Sequence, residues 1–242
     1  MSVDPFFNDR ATIGVFERAF YAGREAAEEV EAILEWRAPP RRVLDVGCNA
    51  GLHALEWARR GVEVVGIDSA PVAIALARQR ADGDPRLRFE VADLADPDLA
   101  QLGTFDLVTV LGGVFNCIPR PALFPAFCTI RSVLEPGGDL LFDVLRWRDT
   151  ARTVFLRRDT QGTLRIVWEF SLDPTTGRGR VVGQFLETGA TQDSERNFYT
   201  APEITTLLEL AGFERLTVAG DLALGMSARE AEPSFFFRAR PR

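Results

Sequence analysis

The stretch Arg42-Val43-Leu44-Asp45-Val46-Gly47-Cys48-Asn49-Ala50-Gly51 decides the fold class of this chain of 242 residues. An apolar run ends in an acid and breaks into a turn with two glycines, and a helical pattern, Leu52–Arg60, begins directly after it. Glycines in such a turn let the backbone approach a nucleotide-like ligand closely, and the amides of the following helix point at whatever binds there. Glycines also close many strand–helix junctions for structural reasons alone, so the spacing of later residues has to decide the ligand.

Strands and helices alternate along the chain after this turn. The predicted strands are short and apolar: Val43–Val46, Val62–Ile67, Leu87–Val91, Phe105–Leu111 and Asp139–Leu145. Helical periodicity lies between them: Leu52–Arg60, Val72–Ala81 and Ala122–Leu134. This alternation predicts an α/β fold with a mostly parallel sheet and helices on both of its faces. Ligands of such sheets bind at the carboxyl ends of the strands.

The alternation stops after residue 145. Three β-rich segments joined by turns predict a small antiparallel β insertion: Thr153–Arg158, Thr163–Ser171 and Arg180–Glu187. Further elements are predicted on either side of it: a helical segment over Thr12–Trp36, a helix over Ala201–Leu210, and a strand pair, Phe213–Ala219 with Ser234–Ala239. We therefore expect a binding domain over residues 1–145 and 190–242, interrupted by a β insertion over residues 146–189. Residues 1–40 of this domain are expected to form a helical cap.

The composition argues against several kinds of partner. Asp and Glu number 35 against 28 basic residues, all of them arginine, and a net charge of −7 disfavours nucleic acid. The longest charge-free run, Leu107–Pro119, has 13 residues, too few to span a bilayer. The first ten residues show no apolar signal segment, so we expect a cytoplasmic protein with no membrane partner. Cys48, Cys117 and Cys128 lack metal-type spacing, which predicts reduced, mostly buried thiols and no metal site.

Acids follow three successive strands in an order that suits a nucleoside. Asp45 precedes Gly47, and Asp68 ends the second strand 21 residues after that glycine, where a carboxylate can accept both hydroxyls of a ribose. Asp93 ends the third strand, where it can accept from an exocyclic amine. Asp68 alone also suits a helix N-cap, and Asp93 alone suits a turn. Their joint occurrence with Leu134-Glu135-Pro136-Gly137-Gly138 before the fifth strand favours a ligand site.

This series resembles the class I S-adenosylmethionine-dependent methyltransferases, and the resemblance covers nearly the whole chain. The matching segments, in the order of the family's three motifs and its turn before strand five, are Asp45–Gly51, Ile67-Asp68, Ala92-Asp93 and Leu134–Gly138. The resemblance implies a Rossmann-like sheet of seven strands in the order 3-2-1-4-5-7-6, with the last strand antiparallel. It also implies S-adenosylmethionine as the cofactor and methyl transfer to a nitrogen or oxygen of a small molecule by in-line displacement.

The same resemblance implies which residues contact the cofactor. Gly47 and Gly51 pack against its methionine portion, and Asp45 binds near its ammonium. Asp68 holds the ribose hydroxyls, and Asp93 addresses the adenine together with Leu94. The full set implied is Asp45, Gly47, Cys48, Asn49, Gly51, Asp68, Ser69, Ala92, Asp93, Leu94 and Leu111. Asn49 is a departure, because the family often has glycine there, but asparagine tolerates left-handed backbone geometry.

The acceptor side is less specific. Methyl transfer from a sulfonium mainly needs positioning and exclusion of water, and a base only when the nucleophile arrives protonated. Candidates for contacts with the acceptor or for catalysis are Tyr21 beside Phe20, Asn116, Arg146 beside Trp147, and Tyr199 after Asn197-Phe198. Each of them also suits a structural or solvent-facing role. His53, the single histidine, suits local packing or hydrogen bonding better than a role as base.

The insertion after strand five resembles the lid of small-molecule N-methyltransferases that act on amino sugars or glycine. From Arg146 to Arg180 it carries eight arginines against four acids, a balance of +4. This excess motivates the hypothesis of an acceptor with a carboxylate or phosphate. A solvated basic face of a small sheet explains the same charges.

Other functions fit parts of the pattern. A nicotinamide-dependent oxidoreductase shares the glycine turn and Asp68, but Leu52 stands where its third glycine belongs, and the Leu134–Gly138 turn has no role there. A non-catalytic binding scaffold does not need Asp68, Asp93 or Gly47. A nucleic-acid methyltransferase is disfavoured by the charge and by Gly112-Gly113-Val114-Phe115, where such enzymes carry an Asn/Asp-Pro-Pro-aromatic element. A protein acceptor stays open.

Overall fold

The computed structural model describes residues 8–20, 26–94, 97–145, 152–158, 165–227 and 234–242. The helices in these ranges are α1 (Arg10–Phe20), α2 (Ala26–Leu34), α3 (Leu52–Arg59), α4 (Pro71–Ala81), α5 (Arg120–Val133) and α6 (Ala201–Leu210). The strands are β1 (Arg42–Val46), β2 (Glu63–Asp68), β3 (Leu87–Val91), β4 (Phe105–Val110), β5 (Leu134–Leu145), β6 (Arg152–Arg158), β7 (Arg165–Asp173), β8 (Arg178–Phe185), β9 (Thr191–Asn197), β10 (Phe213–Ala219) and β11 (Ser234–Pro241). Two 3₁₀ turns, Pro97–Leu102 and Val114–Cys117, flank β4.

Seven strands form the main sheet in the order β3-β2-β1-β4-β5-β11-β10. Strands β1 to β5 pair in parallel, and β11 runs antiparallel to both β5 and β10. Counted within this sheet alone, the order is 3-2-1-4-5-7-6, which the resemblance implied. The numbering jumps from β5 to β10 because four strands of a second sheet lie between them in the sequence.

The central strands are apolar because the sheet is covered on both faces. In β1, Val43 packs on the side of α2 and α3, whereas Leu44 and Val46 join the core on the opposite face. Two large hydrophobic clusters therefore sandwich the sheet, as expected for parallel strands. Because β1, β2 and β4 run parallel, their carboxyl ends meet along one edge of the sheet, where the glycine turn begins.

The second sheet, here called the lid sheet, is antiparallel with the order β6-β7-β8-β9. It has one strand more than the three predicted, because β9 reads Thr-Gln-Asp-Ser-Glu-Arg-Asn and shows no apolar alternation. Its inward positions are polar residues, Gln192 and Ser194, which are nevertheless buried. The boundary predicted between residues 189 and 190 falls in the turn between β8 and β9, and the division into domains stays a prediction.

The apolar face of the lid sheet packs against the main domain. Its buried residues form one cluster with Val15 of α1 and with Leu145 at the end of β5: Ile166, Trp168, Val181, Phe185 and Phe198. Helix α1 also contacts the other side, because Ile13 is fully buried against Ala50, Ala70 and Ala73. Helix α1 thus lies between the glycine turn and the lid sheet.

Three further expectations concern the membrane, metals and thiols. None of the helices in the described ranges is long and apolar enough to cross a bilayer. The same ranges contain no cluster of His, Cys, Asp and Glu suited to a metal ion. All three cysteines are free, but only Cys48 is buried, so the prediction of mostly buried thiols is wrong for Cys117 and Cys128. Those two thiols lie on outward positions of a 3₁₀ turn and of α5.

Candidate cofactor and acceptor site

The glycine turn after β1 is built from three residues in left-handed conformation. Gly47, Asn49 and Gly51 have φ angles of 70°, 49° and 79°. A Cβ on Gly47 would stand 2.5 Å from Cγ2 of Val114, and one on Gly51 would stand 2.8 Å from the ring of Phe89. Both glycines are therefore required by conformation and by space, and Asn49 is the departure that this geometry tolerates.

Asp68 ties the turn to the end of β2. One of its carboxylate oxygens accepts from the backbone N–H of Asn49 at 2.9 Å, and the other accepts from the N–H of Ala70 at 2.9 Å. Burial raises the pKa of this carboxyl, and the two N–H donors counteract that rise. The side chain is only half-buried and keeps lone pairs that these two bonds do not use. The N-cap role weighed from the sequence is wrong, because Ala70 is the N-cap of α4 and makes no side-chain cap bond. The ligand contact of Asp68 stays a prediction.

Asp45 carries a buried oxygen that lacks a partner. The residue is 3 % exposed, and its Oδ1 accepts from Oγ1 of Thr109 at 3.0 Å. Its Oδ2 has no hydrogen-bond partner within the described part of the chain, and neither has Oδ1 of Asn49 nearby in the turn. Burial raises the pKa of Asp45, while the charge of His53 and the bond from Thr109 lower it. Unsatisfied buried acceptors are costly, so two of them at this turn fit a ligand that donates there, such as an ammonium.

Further implied cofactor residues, which include Asp93 and Leu94 for the adenine, lie after β3 and β4. Ala92 and Asp93 are half-buried, and Leu94 and Leu111 are buried. The N–H of Ala92 donates to the carbonyl of Asp68 at 3.1 Å, which fixes this segment beside the carboxylate. Cys48 is implied as a cofactor contact as well, but its thiol is buried. Burial raises the pKa of this thiol well above the ordinary value, and its sulfur packs close to Gly66. It therefore contributes a neutral packing surface.

Asn116 joins both ends of the lid sheet to the main domain. Its Oδ1 accepts from the N–H of Leu145, where the chain leaves β5, and its Nδ2 donates to the carbonyl of Asn197, where the chain leaves β9. These bonds measure 2.8 and 2.7 Å, and Asn116 is fully buried. Asn197 donates in turn to the carbonyl of Ile118 at 3.0 Å. We call this set of bonds the lid joint.

Tyr199 belongs to the same region. Its hydroxyl donates to the carbonyl of Ile118 at 3.2 Å, and the guanidinium of Arg120 lies 4.7 Å from the centre of its ring. Burial raises the pKa of Tyr199 to about 12, so the phenol stays protonated near neutral pH. Asn116 and Tyr199 are thus close to each other. The amide of Asn116 is engaged in the lid joint, and the hydroxyl of Tyr199 donates to the carbonyl of Ile118, which belongs to that joint. The other two catalytic candidates, Tyr21 and Arg146, lie outside the described residues, and all four stay predictions.

Comparisons with known proteins match this geometry. Residues 43–138 match a family described as methyltransferase domain. The matched segment, less than half of the chain, is similar to a methyltransferase domain and includes the glycine turn, Asp68 and Asp93. The ubiquinone biosynthesis O-methyltransferase of Acinetobacter baylyi is 33% identical over 107 residues, which cover 43% of this chain and 44% of that protein. The chain thus matches less than half the length of such curated relatives.

Two solved structures resemble this chain over almost its whole length. An amino pentose methyltransferase from Micromonospora echinaspora, solved with S-adenosylmethionine bound, is 25% identical, covers 94% of this chain and 97% of its own, and gives a TM-score of 0.71. The CcbJ methyltransferase from Streptomyces caelestis is 22% identical, covers 91% and 95%, and gives a TM-score of 0.75. The second likeness concerns the fold alone. The unpartnered oxygen of Asp45 fits the ammonium of S-adenosylmethionine, the molecule bound in the first of these two structures.

Sequence reasoning missed three residues of the methyltransferase site. Thr109 orients Asp45, and its only signal was a polar residue inside an otherwise apolar strand. Asp143 of β5 is buried and accepts from the N–H groups of Gly112 and Gly113 at 2.6 and 3.0 Å, which shapes the turn after β4. An acid within the apolar run of β5 was the available signal. Glu29 of α2 had no such signal in the sequence, because it is one of several acids in an amphipathic helix.

Replacement of Asn116 by alanine distinguishes a lid joint from a catalytic amide. The substitution leaves the N–H of Leu145 and the carbonyl of Asn197 without their partner, so we expect about 2 kcal/mol less stability. We also expect a higher KM for the acceptor and an unchanged affinity for S-adenosylhomocysteine, because the cofactor turn is not touched. Denaturant unfolding and calorimetry measure these effects. A loss of kcat with unchanged stability and KM would instead make Asn116 catalytic.

Proposed function

We propose that this protein transfers the methyl group of S-adenosylmethionine to a nitrogen or oxygen of a small molecule. The observation that carries the proposal is the buried, unpartnered oxygen of Asp45 beside a turn that requires glycine at positions 47 and 51. S-adenosylmethionine would supply a methyl group on a sulfonium: the acceptor lone pair would attack that methyl carbon in line as its bond to sulfur breaks, and S-adenosylhomocysteine would leave. The chain's own residues hold the reactants and exclude water.

Helix α1 supports the exclusion of water. Arg80 of α4 pairs with both carboxylate oxygens of Glu17 at 2.7 and 2.8 Å and donates to the carbonyl of Ala50 in the glycine turn. Ile13 packs against Ala50 on the same side. The helix is therefore fastened directly over the cofactor turn, and the lid sheet covers it from the other side. An enclosed site of this kind suits a small acceptor better than a protein segment.

The hydrogen bonds of the two described catalytic candidates, Asn116 and Tyr199, favour a nitrogen acceptor over an oxygen acceptor. Asn116 and Tyr199 have their polar atoms engaged in the lid joint, so neither is available to take a proton from the acceptor. An amine that arrives with a free lone pair needs no base. The neighbouring structure with 25% identity is named for an amino pentose, which agrees with this preference.

The hypothesis of an anionic acceptor has less support. Three arginines of the lid sheet are exposed and paired with acids: Arg165 with Glu187, Arg178 with Glu195, and Arg180 with Asp193. These acids follow Arg180 in the sequence and reduce the excess: from Arg146 to Asn197, nine arginines face seven acids. The hypothesis now depends on arginines whose side chains the structure does not describe: Arg146, Arg148, Arg152, Arg157 and Arg158.

A transfer screen tests the proposal. The full chain is incubated with radiolabelled S-adenosylmethionine and panels of small amines, phenols and carboxylates, and the Asp68→Ala variant serves as the inactive control. We expect label in at least one small amine or phenol and none with the control. Binding of S-adenosylhomocysteine without transfer to any panel member would instead support a non-catalytic binding scaffold.

A further inference from the structure

A buried acid–imidazole pair lies behind the cofactor turn. Nε2 of His53, in the first turn of α3, is 2.5 Å from Oε2 of Glu29 in α2. The two residues are 7 and 8 % exposed. Two acceptor atoms cannot approach this closely without a hydrogen between them, so a proton lies between the ring and the carboxylate. The pair joins the N-terminal segment to the helix that begins directly after Gly51.

The pair is electrostatically coupled to Asp45. Burial has the largest effect on Asp45 and raises its pKa; among the nearby charges, that of His53 lowers the pKa, whereas those of Asp68 and Glu29 raise it. These groups come from α3, β2 and α2, which pack beside β1. Cys48 adds no charge, because burial and the charges of Asp45 and Asp68 raise the pKa of its thiol well above the ordinary value. His53 is thus the single cation acting on Asp45 among the titratable groups described there.

We propose that the Glu29–His53 pair is a positioning element for the cofactor: a protonated His53, held by Glu29, keeps Asp45 ionised so that its free oxygen accepts the cofactor's ammonium. The inference rests on the proposed function and adds a residue to the binding of that cofactor. Glu29, His53 and Asp45 together carry one net negative charge when all are ionised, which matches the single positive charge of an ammonium. His53 acts through Asp45 and does not touch the reacting atoms.

The test compares two ligands that differ in the group Asp45 would bind. S-adenosylhomocysteine has the ammonium, and 5′-methylthioadenosine keeps the adenosine and thioether but lacks the amino-acid portion. Without His53 the charge opposing protonation of Asp45 is lost, so the pKa of Asp45 rises and binding weakens as the pH falls through that higher value. For His53→Gln we expect about tenfold weaker binding of S-adenosylhomocysteine than for the wild type at the acidic end of a pH titration, and a difference that disappears as the pH rises. Binding of 5′-methylthioadenosine should not change.

Two further variants separate charge from packing. Glu31→Gln removes another ion pair between α2 and the end of α3, that of Glu31 with Arg60. This pair is far more exposed than the pair of Glu29 with His53. It should leave the pH dependence as in the wild type. Asp45→Asn should bind S-adenosylhomocysteine weakly at every pH, because its amide no longer titrates.

Nuclear magnetic resonance supplies a direct readout, because the chain has one histidine. The ¹⁵N shifts of the imidazole should report a doubly protonated ring at pH 7 in the wild type and a neutral ring in Glu29→Gln. A neutral ring in the wild type, or equal weakening of both ligands in His53→Gln at all pH values, would overturn the inference. Failure of the wild type to bind either ligand would instead overturn the proposed function.

Discussion

The Asp68→Ala variant is expected to bind S-adenosylhomocysteine at least about 100-fold more weakly than the wild type. Hydrogen bonds to charged groups contribute about 1.5–3 kcal/mol each, and 100-fold corresponds to about 2.7 kcal/mol. The carboxylate accepts from the N–H groups of Asn49 and Ala70, and the predicted ribose contact would use its remaining lone pairs. Its removal would therefore lose ligand contacts and loosen the turn that is predicted to hold the methionine portion.

Calorimetric titration measures this loss, and two variants bracket it. Asp68→Asn keeps one acceptor oxygen and two donors that ribose hydroxyls can use, so its loss should be smaller. Asp84→Ala removes an exposed acid that pairs with Arg86 in a surface turn, so its affinity should equal that of the wild type. Full affinity in Asp68→Ala would remove this residue from the cofactor site.

The Gly51→Ala variant is expected to be about 3 kcal/mol less stable than the wild type. Gly51 has a φ of 79°, and its added Cβ would stand 2.8 Å from Cζ of Phe89 and 3.2 Å from Cβ of Ala77. A left-handed conformation costs an alanine about 1–2 kcal/mol, and overpacking a core costs about 1–3 kcal/mol more. We also expect weaker cofactor binding, because β3 or the turn has to move to relieve the contact.

Gly61→Ala is the matched control for that variant. Gly61 has a φ of 83°, but its Cβ would meet no atom within 4 Å. Only the conformational cost applies there, so we expect about 1 kcal/mol less stability and unchanged cofactor binding. Chemical denaturation with a linear extrapolation measures both values. Equal losses in the two variants would mean that the contact with Phe89 does not constrain the turn.

The sequence predicted the main sheet well because its signals are local. Each central strand is an apolar run between turn residues, and the acids that end β1 and β2 stand beside glycine or a helix start. The fourth strand of the lid sheet was missed for the converse reason. Gln192 and Ser194 of β9 become buried only through pairing with β8 and contact with the main domain, which no local pattern reveals.

The cofactor side of the site was also more predictable than the acceptor side. Asp45 and Asp68 come at strand ends, so parallel topology alone brings them to one edge. Asn116 was a candidate for an acceptor contact and stays one, but the spacing gave no sign that its amide bonds to Leu145 and Asn197, which are 29 and 81 residues away. Partners so distant in the sequence depend on how the lid sheet returns to the domain, and spacing carries no information about that.

Titration of the full chain with S-adenosylhomocysteine and, separately, with NADH tests the central claim most directly. The turn after β1, the free oxygen of Asp45 and the carboxylate of Asp68 predict binding of S-adenosylhomocysteine at one site per chain in the micromolar range, with no heat from NADH. Absence of S-adenosylhomocysteine binding to the folded chain, or stoichiometric binding of NADH, would contradict the account.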